Sequence, residues 1–337
     1  MRLPTISVCI ATYNSAKTLG DCLKLVREQN YAQNKIELIL GDGGSTDNTL
    51  QIAKKYKAKV INIPKEKQHA EYNRGVAFNS AKGELVLILD HDNFLPDRSW
   101  IRDMVDPLLK HKDAVASTTC YYHYDRSYNI MDRYFALFGT SEPLPYFLRK
   151  ADRMPQYAKT WVLQGNAKDY GKYYFVRLSS HPSKFISVGT NGCLMRRQLV
   201  IDNAQADPEH HYPIDVLYDV TKKGHNKFIF VKNSIIHLTH SRGLLEFLKR
   251  RKKFVEQYHF AEHEKRRWSV VMPGDELGVI LYLIYSLTFV KPLYDSLRGY
   301  LKIKDVAWFV HPLMCFGTTV IYGYVTVKFT LKGLFKT

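Results

Sequence analysis

The sequence predicts an α/β protein built on a mostly parallel, doubly wound sheet, and three observations carry that prediction. Short apolar runs alternate with segments of helical period from Ile6 to Leu89. The run Leu85 to Leu89 is apolar throughout, as a strand buried on both faces must be. It then gives way to Asp90-His91-Asp92, so two carboxylates stand at the carboxyl end of that strand, where open α/β sheets bind their ligands.

The elements follow in chain order. Ile6 to Thr12 reads as a strand, and Leu19, Cys22, Leu23 and Val26 recur behind it at helical spacing. Ile36 to Leu40 is a second strand, running into Gly41-Asp42-Gly43-Gly44-Ser45-Thr46-Asp47. Ser45 suits an N-cap, with a helix from Thr46 to Lys55. Val60 to Ile63 gives a third strand, Ala70 to Ala81 a helix, and Leu85 to Leu89 the fourth strand. Alternation at this rhythm calls for parallel strands joined by right-handed crossovers. The glycines at 41, 43 and 44 let the backbone turn tightly and approach a ligand. Asp42, at the tip of the second strand, can accept a hydrogen bond from a base or ribose. The first strand is followed by Thr12-Tyr13-Asn14-Ser15 rather than G-x-G-x-x-G or a P-loop, which argues against NAD and ATP phosphate cradles.

A chain of 337 residues holds one large α/β domain with an extension, or two domains. Its 45% hydrophobic content, with 23 Tyr and 17 Phe, excludes a disordered or collagen-like polymer. Five cysteines without a C-x-x-C pair make neither a disulfide framework nor a zinc site and suit a reducing compartment. No cleavable signal pattern follows Met1, so the first half of the chain is expected in the cytoplasm. The net charge of +17 is densest at Lys249-Arg250-Arg251-Lys252-Lys253 and Lys265-Arg266-Arg267. Anionic headgroups or a phosphorylated substrate answer to it. A nucleic-acid partner is not expected, because no RNA-module motif interleaves with the basic run.

Two carboxylates two residues apart at a strand exit suit a hard divalent cation that keeps several waters and meets substrate phosphates. A polar loop that happens to carry two Asp is the alternative. Four motifs in register then bear on the choice: Ile6 to Asn14, Gly41-Asp42-Gly43-Gly44-Ser45-Thr46-Asp47-Asn48-Thr49, Asn73-Arg74-Gly75 with Ala81-Lys82-Gly83-Glu84, and Asp90-His91-Asp92. Together they resemble the family 2 glycosyltransferases of GT-A (nucleotide-diphospho-sugar transferase) fold, over roughly residues 4 to 240. The resemblance implies inverting transfer from a nucleotide-sugar with Mg2+ or Mn2+ as cofactor. It implies a nucleotide-sugar set of Thr12, Tyr13, Asp42, Asn73, Asp90 and Asn191, with Tyr13 and Asp42 at the base. Asn191 enters through Gly189-Thr190-Asn191-Gly192-Cys193, which looks like the family's block beside the sugar. It implies a metal set of Asp90, Asp92 and His237, although a histidine after an apolar strand is also an ordinary core residue.

The chain departs from the family in places. Glu71-Tyr72-Asn73 stands for the usual Ala-Arg-Asn, leaving the arginine's task to Arg74 or Lys67. Ser15 replaces the Glu usual in dolichyl-phosphate-mannose synthases. The catalytic Glu-Asp pair is not intact: Tyr212-Pro213-Ile214-Asp215 and Asp219 occupy its place, with Asp215 the candidate base and Asp219 second. Glu264 to Trp268 is similar to the Gln-x-x-Arg-Trp motif of processive members, without its glutamine.

Domain boundaries are expected at 1–240 for the catalytic domain, 241–270 for basic amphipathic helices and 271–337 for a membrane-associated hairpin. Gly243 to Phe260 carries Leu244, Leu248, Val255 and Tyr258 on one stripe beside the basic run. Such a helix lies on a membrane surface, or packs its stripe on the catalytic domain and leaves its lysines in water. Leu277 to Val290 is apolar but shorter than the roughly 20 residues of a span, whereas Val306 to Val327 is long enough. Re-entrant or embedded helices on a cytoplasmic face follow, with membrane lipids as partners. The expected function is sugar transfer from a nucleoside diphosphate donor, UDP-linked, to a lipid-linked or glycan acceptor. A membrane-bound scaffold of the same fold, binding without catalysis, is the alternative that the broken Glu-Asp pair supports.

Overall fold

The computed structural model describes residues 2–239, 243–257 and 263–334. Tyr258, on the expected amphipathic stripe, lies outside the described residues. The chain forms two units: residues 1–123 with 164–238, and residues 124–163 with 239–337. The segment 124–163, expected inside the first region, therefore belongs with the C-terminal helices.

The first unit holds every strand of the sheet. In chain order come β1 (Ile6–Thr12), α1 (Ala16–Arg27), β2 (Ile36–Asp42), α2 (Thr49–Lys55), β3 (Lys59–Asn62), α3 (Ala70–Asn79), β4 (Leu85–Asp90), β5 (Asn93–Phe94), α4 (Trp100–Lys110) and β6 (Ala116–Tyr122). Two helices of the second unit follow, α5 (Ile130–Phe138) and α6 (Pro143–Phe147). The first unit resumes with β7 (Asn166–Asp169), β8 (Tyr173–Arg177), β9 (Cys193–Arg196), α7 (Arg197–Asn203), α8 (Pro213–Lys222) and β10 (Lys227–His237).

The strand order is β3-β2-β1-β4-β9-β6-β10-β8-β7, with β5 paired to β10. β1 is parallel to β2 and β4, and β6 to β10, so the expected mostly parallel sheet is present. The chain steps outward from β1 to β2 and β3, then returns to the other side of β1 at β4. That reversal is a topological switch point, and a crevice opens beyond such strand ends. Ile6, Val8 to Ile10 and Val86 to Leu89 have no exposed surface, which is why their sequence is apolar without alternation. All five cysteines are buried and none is in a disulfide.

α2 begins at Thr49 behind Asn48, not at Thr46 behind Ser45. Ser45 is held instead in the preceding turn, its N–H and hydroxyl both donating to Asp42 at 2.8 and 2.6 Å.

The second unit continues with α9 (Leu244–Val255), α10 (Glu276–Thr288), α11 (Val290–Lys302) and α12 (Val310–Leu334). Its core joins Met131, Tyr134, Phe138, Trp308 and Met314, and Leu244, Phe247 and Leu248 of α9 pack against it. A Cβ on Gly317 of α12 would come within 2.6 Å of Leu248. The apolar stripe of α9 is thus turned into the second unit's own core. Buried polar groups tie the other helices: Tyr285 donates to Asp295 at 2.9 Å, and His311 bridges Tyr285 and Tyr134 at 2.7 and 3.0 Å. Val306–Leu331 is long and apolar enough to cross a membrane, with 44% of its most apolar window buried. α10 and α11 meet at 78° across Phe289, whose φ is 61°, so three helices replace the expected hairpin. Pro292 sits in the first turn of α11, where proline is tolerated.

Candidate active site

Three strands deliver their last residues side by side: Thr12 is in register with Asp42, and Ala11 with both Gly41 and Asp90. Asp42 organises the turn after β2. Its carboxylate accepts from Thr12 Oγ1 at 2.9 Å, Gly44 N at 3.0 Å, and both donors of Ser45. These four bonds use about all the lone-pair sites a carboxylate has. The expected acceptor for a base is therefore engaged by its own loop. Tyr13 projects beside it and is 47% exposed.

The N-terminal part of α3 packs directly on this edge. A Cβ on Gly41 would overlap Asn73 O, so the close approach of α3 to β2 requires glycine there. Asn73 is buried, donates from Nδ2 to Thr12 O at 3.3 Å, and leaves Oδ1 without a partner. The next residue, Arg74, is also buried and binds Glu71 and Asp90, the latter at 2.6 Å. Burial acts to raise the Asp90 carboxyl, but Arg74 outweighs it, with help from His237 and His91, and holds it below the ordinary carboxylate value. Arg74, one of the two residues left with the arginine's task, is the one that reaches Asp90. Lys67 pairs with Glu209 at 3.4 Å.

The antiparallel insertion of β9 explains the far side. Cys193 is in register with Ile88, so β9 starts where β4 ends and Asn191 falls beside the Asp90–Asn93 turn. Asn93 Oδ1 accepts from Asp90 N at 3.0 Å, Asn93 Nδ2 donates to Asn191 Oδ1 at 3.3 Å, and Asn191 Nδ2 donates to Tyr122 at 2.9 Å. Asn191 has φ 50°, a left-handed backbone that asparagine tolerates well. β10 ends against β5, with His237 opposite Asn93, and places His237 Nε2 3.9 Å from Asp92 Oδ1. Tyr122 and Asn93 complete this ring of contacts, and the sequence alone gave no signal for either.

The three expected metal ligands do not close into one cage. Among the described residues no group of three His, Cys, Asp or Glu side chains could hold an ion by itself. Asp90 Oδ1 is taken by Arg74 at 2.6 Å. Asp92 and His237 remain as a pair. That suits Mg2+ or Mn2+, which commonly binds through one or two protein ligands plus water and substrate phosphates.

α8 lies against the loop that carries Asn191, since a Cβ on Gly189 would stand 2.7 Å from Pro213 O. Asp215 occupies the first turn of α8 and is fully buried, so it shows no exposed oxygen to an acceptor. Asp219 is mostly buried and pairs with Lys222 at 3.6 Å. Trp268, of the segment similar to the Gln-x-x-Arg-Trp motif, is buried as well.

Residues 7–167 match the model of glycosyl transferase family 2. The glycosyltransferase AglE of Haloferax volcanii is 32% identical over 103 residues, 29% of this chain and 34% of that protein. The poly(ribitol-phosphate) β-N-acetylglucosaminyltransferase TarS of Staphylococcus aureus is 34% identical over 113 residues, 32% of this chain and 20% of that protein. The matches thus span about 34% and 20% of these relatives' lengths. The crystal structure of S. aureus TarS superposes with a TM-score of 0.50 and 17% identity, covering 94% of this chain and 53% of that one, a likeness of fold.

Proposed function

Because residues 7–167 are a glycosyltransferase family 2 domain, we propose that the protein transfers a sugar from a nucleoside diphosphate donor, UDP-linked, to a lipid-linked or glycan acceptor with inversion. The observation that carries this reading is the meeting of Asp90, Asp92, Asn191 and His237 at the switch point beside Thr12. Tyr13 and the turn built on Asp42 receive the base. Asp90, oriented by Arg74, faces the ribose and diphosphate, and Asn73, whose unpartnered amide oxygen is buried, needs the turn after β2 to open before it can reach them. Asn191 lies on the sugar side.

The residues fit Mg2+ or Mn2+ held by Asp92 and His237 together with phosphate oxygens. A bound cation of this kind offsets negative charge growing on the departing diphosphate. An acceptor hydroxyl must lose its proton as it attacks from the opposite face, and Asp215 is the base proposed for this. It requires the first turn of α8 to shift, since that carboxylate is covered. A phosphate acceptor, already ionised, needs no base.

The second unit is proposed to hold the protein to a membrane with the catalytic unit in the cytoplasm. α12 has the length and composition of a span, and α10 and α11 expose Leu277, Ile280, Ile284, Val290 and Leu301. Incubation with a panel of labelled nucleotide-sugars and a lipid extract tests the whole reading. It predicts label in the lipid or glycan fraction from at least one donor. The buried Asp215 favours a second reading, a nucleotide-binding scaffold, which predicts bound UDP but neither transfer nor donor hydrolysis.

A further inference from the structure

The second unit contains a cavity of about 490 Å³, within the roughly 300–1,000 Å³ of small-ligand sites. Its charged lining is Arg149, Arg153, Lys291, Asp295 and Arg298, four cations against one carboxylate. That carboxylate is already engaged, accepting from Lys291 at 2.5 Å and Tyr285 at 2.9 Å. Arg153 has Asp152 at 3.5 Å. Arg149 fixes its Nε on Val162 O at 2.8 Å, and Arg298 lies over the Tyr157 ring at 5.2 Å. Among the described residues neither has a carboxylate within ion-pair distance. Cations gathered in one concavity repel one another and create a positive potential that an anion relieves. Guanidinium groups match phosphate oxygens in particular, because their paired N–H donors bind them two at a time.

The rest of the lining is apolar and aromatic, including Phe147, Pro155, Trp161 and Leu163. A free inorganic anion gains nothing from such walls, whereas an amphiphile does. α11 extends the argument. Lys291, Asp295 and Arg298 recur at helical spacing on its cavity side, while Val290, Leu293, Tyr294, Leu297 and Leu301 are exposed on its other face. One helix thus presents cations to a concavity and leucines to the outside.

We propose that this cavity receives the phosphate or diphosphate group of a single-chain lipid, with Arg149 and Arg298 as its principal anion ligands. The proposal deepens the lipid-linked acceptor reading and rests on it for its biological purpose. Binding does not depend on sugar transfer, so the two can fail separately.

Calorimetric titration of the full chain in neutral detergent tests it, with farnesyl diphosphate, farnesol and inorganic diphosphate as probes. Farnesyl diphosphate should bind, and the other two about tenfold more weakly or worse, since each lacks one half of the match. Arg298→Ala and Arg149→Ala should each weaken farnesyl diphosphate about tenfold, and Arg298→Lys less. The double substitution Lys249→Ala with Lys253→Ala on α9, outside the cavity, should leave binding unchanged. Thermal melting of each variant separates lost binding from lost fold. Two folded arginine variants that bind like the parent overturn the proposal, as does loss of binding confined to the α9 variant. Inorganic diphosphate binding as tightly as farnesyl diphosphate overturns the lipid assignment. Transfer to a soluble glycan, with farnesyl diphosphate binding retained, refutes the lipid acceptor and leaves the cavity's ligand intact.

Discussion

Arg74 Nη2 lies 2.6 Å from Asp90 Oδ1, and the guanidinium that makes this contact is almost wholly buried. Asp90 is therefore held by the protein, and Asp92 is the carboxylate proposed to meet a cation. Arg74→Met should remove that support and leave Asp90 and Glu71 partly buried without their cation. Losing one partner of a buried pair costs about 3–5 kcal/mol. Chemical denaturation reads the loss. The sign with pH follows from the depressed Asp90 carboxyl. Its contribution is full above the unfolded carboxylate value of about 3.9 and disappears as pH falls through the lower folded value. Acid should therefore reduce parent stability more than that of Arg74→Met, and equal slopes would contradict the pairing.

The glycine-rich turn makes a contrast between neighbours. Gly41→Ala places a methyl group on the backbone oxygen of Asn73, and overpacking of this kind costs about 1–3 kcal/mol or more. Gly44 has φ 87° with nothing within 4 Å of an added Cβ, so Gly44→Ala meets only backbone strain of about 1–2 kcal/mol. Nucleotide binding should fall more for Gly41→Ala, because α3 carries Asn73 and Arg74. Paired thermal melts and UDP titrations check both statements.

The parallel half of the fold was legible because β1 and β4 are buried on both faces, which makes β4 apolar up to Asp90 and β1 apolar but for the small Ser7 and its terminal Thr12. Asp90 and Asp92 were legible for the same reason, as the polar end of an apolar run. The neighbours of that edge were not. Asn191 reaches Asn93 across 98 positions only because β9 inserts antiparallel between β4 and β6, and no local period announces strand order. Ser45 looked like a helix cap because its competing partner, Asp42, sits in the turn before it. The stripe on α9 read equally well for lipid or protein, since periodicity reports an apolar face and not what covers it.

Asp215 and Asp219 are separable by kinetics. If Asp215 takes the acceptor's proton, Asp215→Asn should lower kcat by on the order of 10²–10⁴-fold with donor affinity nearly unchanged. Asp219→Asn should change transfer little. Full activity in Asp215→Asn would instead point to an acceptor that is already ionised.

The exposed face of α10 and α11 makes a physical prediction about partitioning. Val290 is 74% and Leu301 69% exposed. Charges placed there resist burial in hydrocarbon, at about 2.5–3.5 kcal/mol for a residue at mid-depth and less near the interface. The double variant Val290→Lys with Leu301→Lys should shift the protein from the membrane fraction toward the soluble one in flotation assays. Unchanged flotation would argue that this face does not touch lipid.

Calorimetry of UDP binding with and without Mn2+ tests the central claim most directly. UDP should bind the parent protein tighter with Mn2+ than without it. Asp92→Ala should abolish that enhancement, and His237→Ala should reduce it by on the order of tenfold. An Asp92→Ala variant that keeps the full Mn2+-dependent gain, in a protein that melts like the parent, would contradict the account.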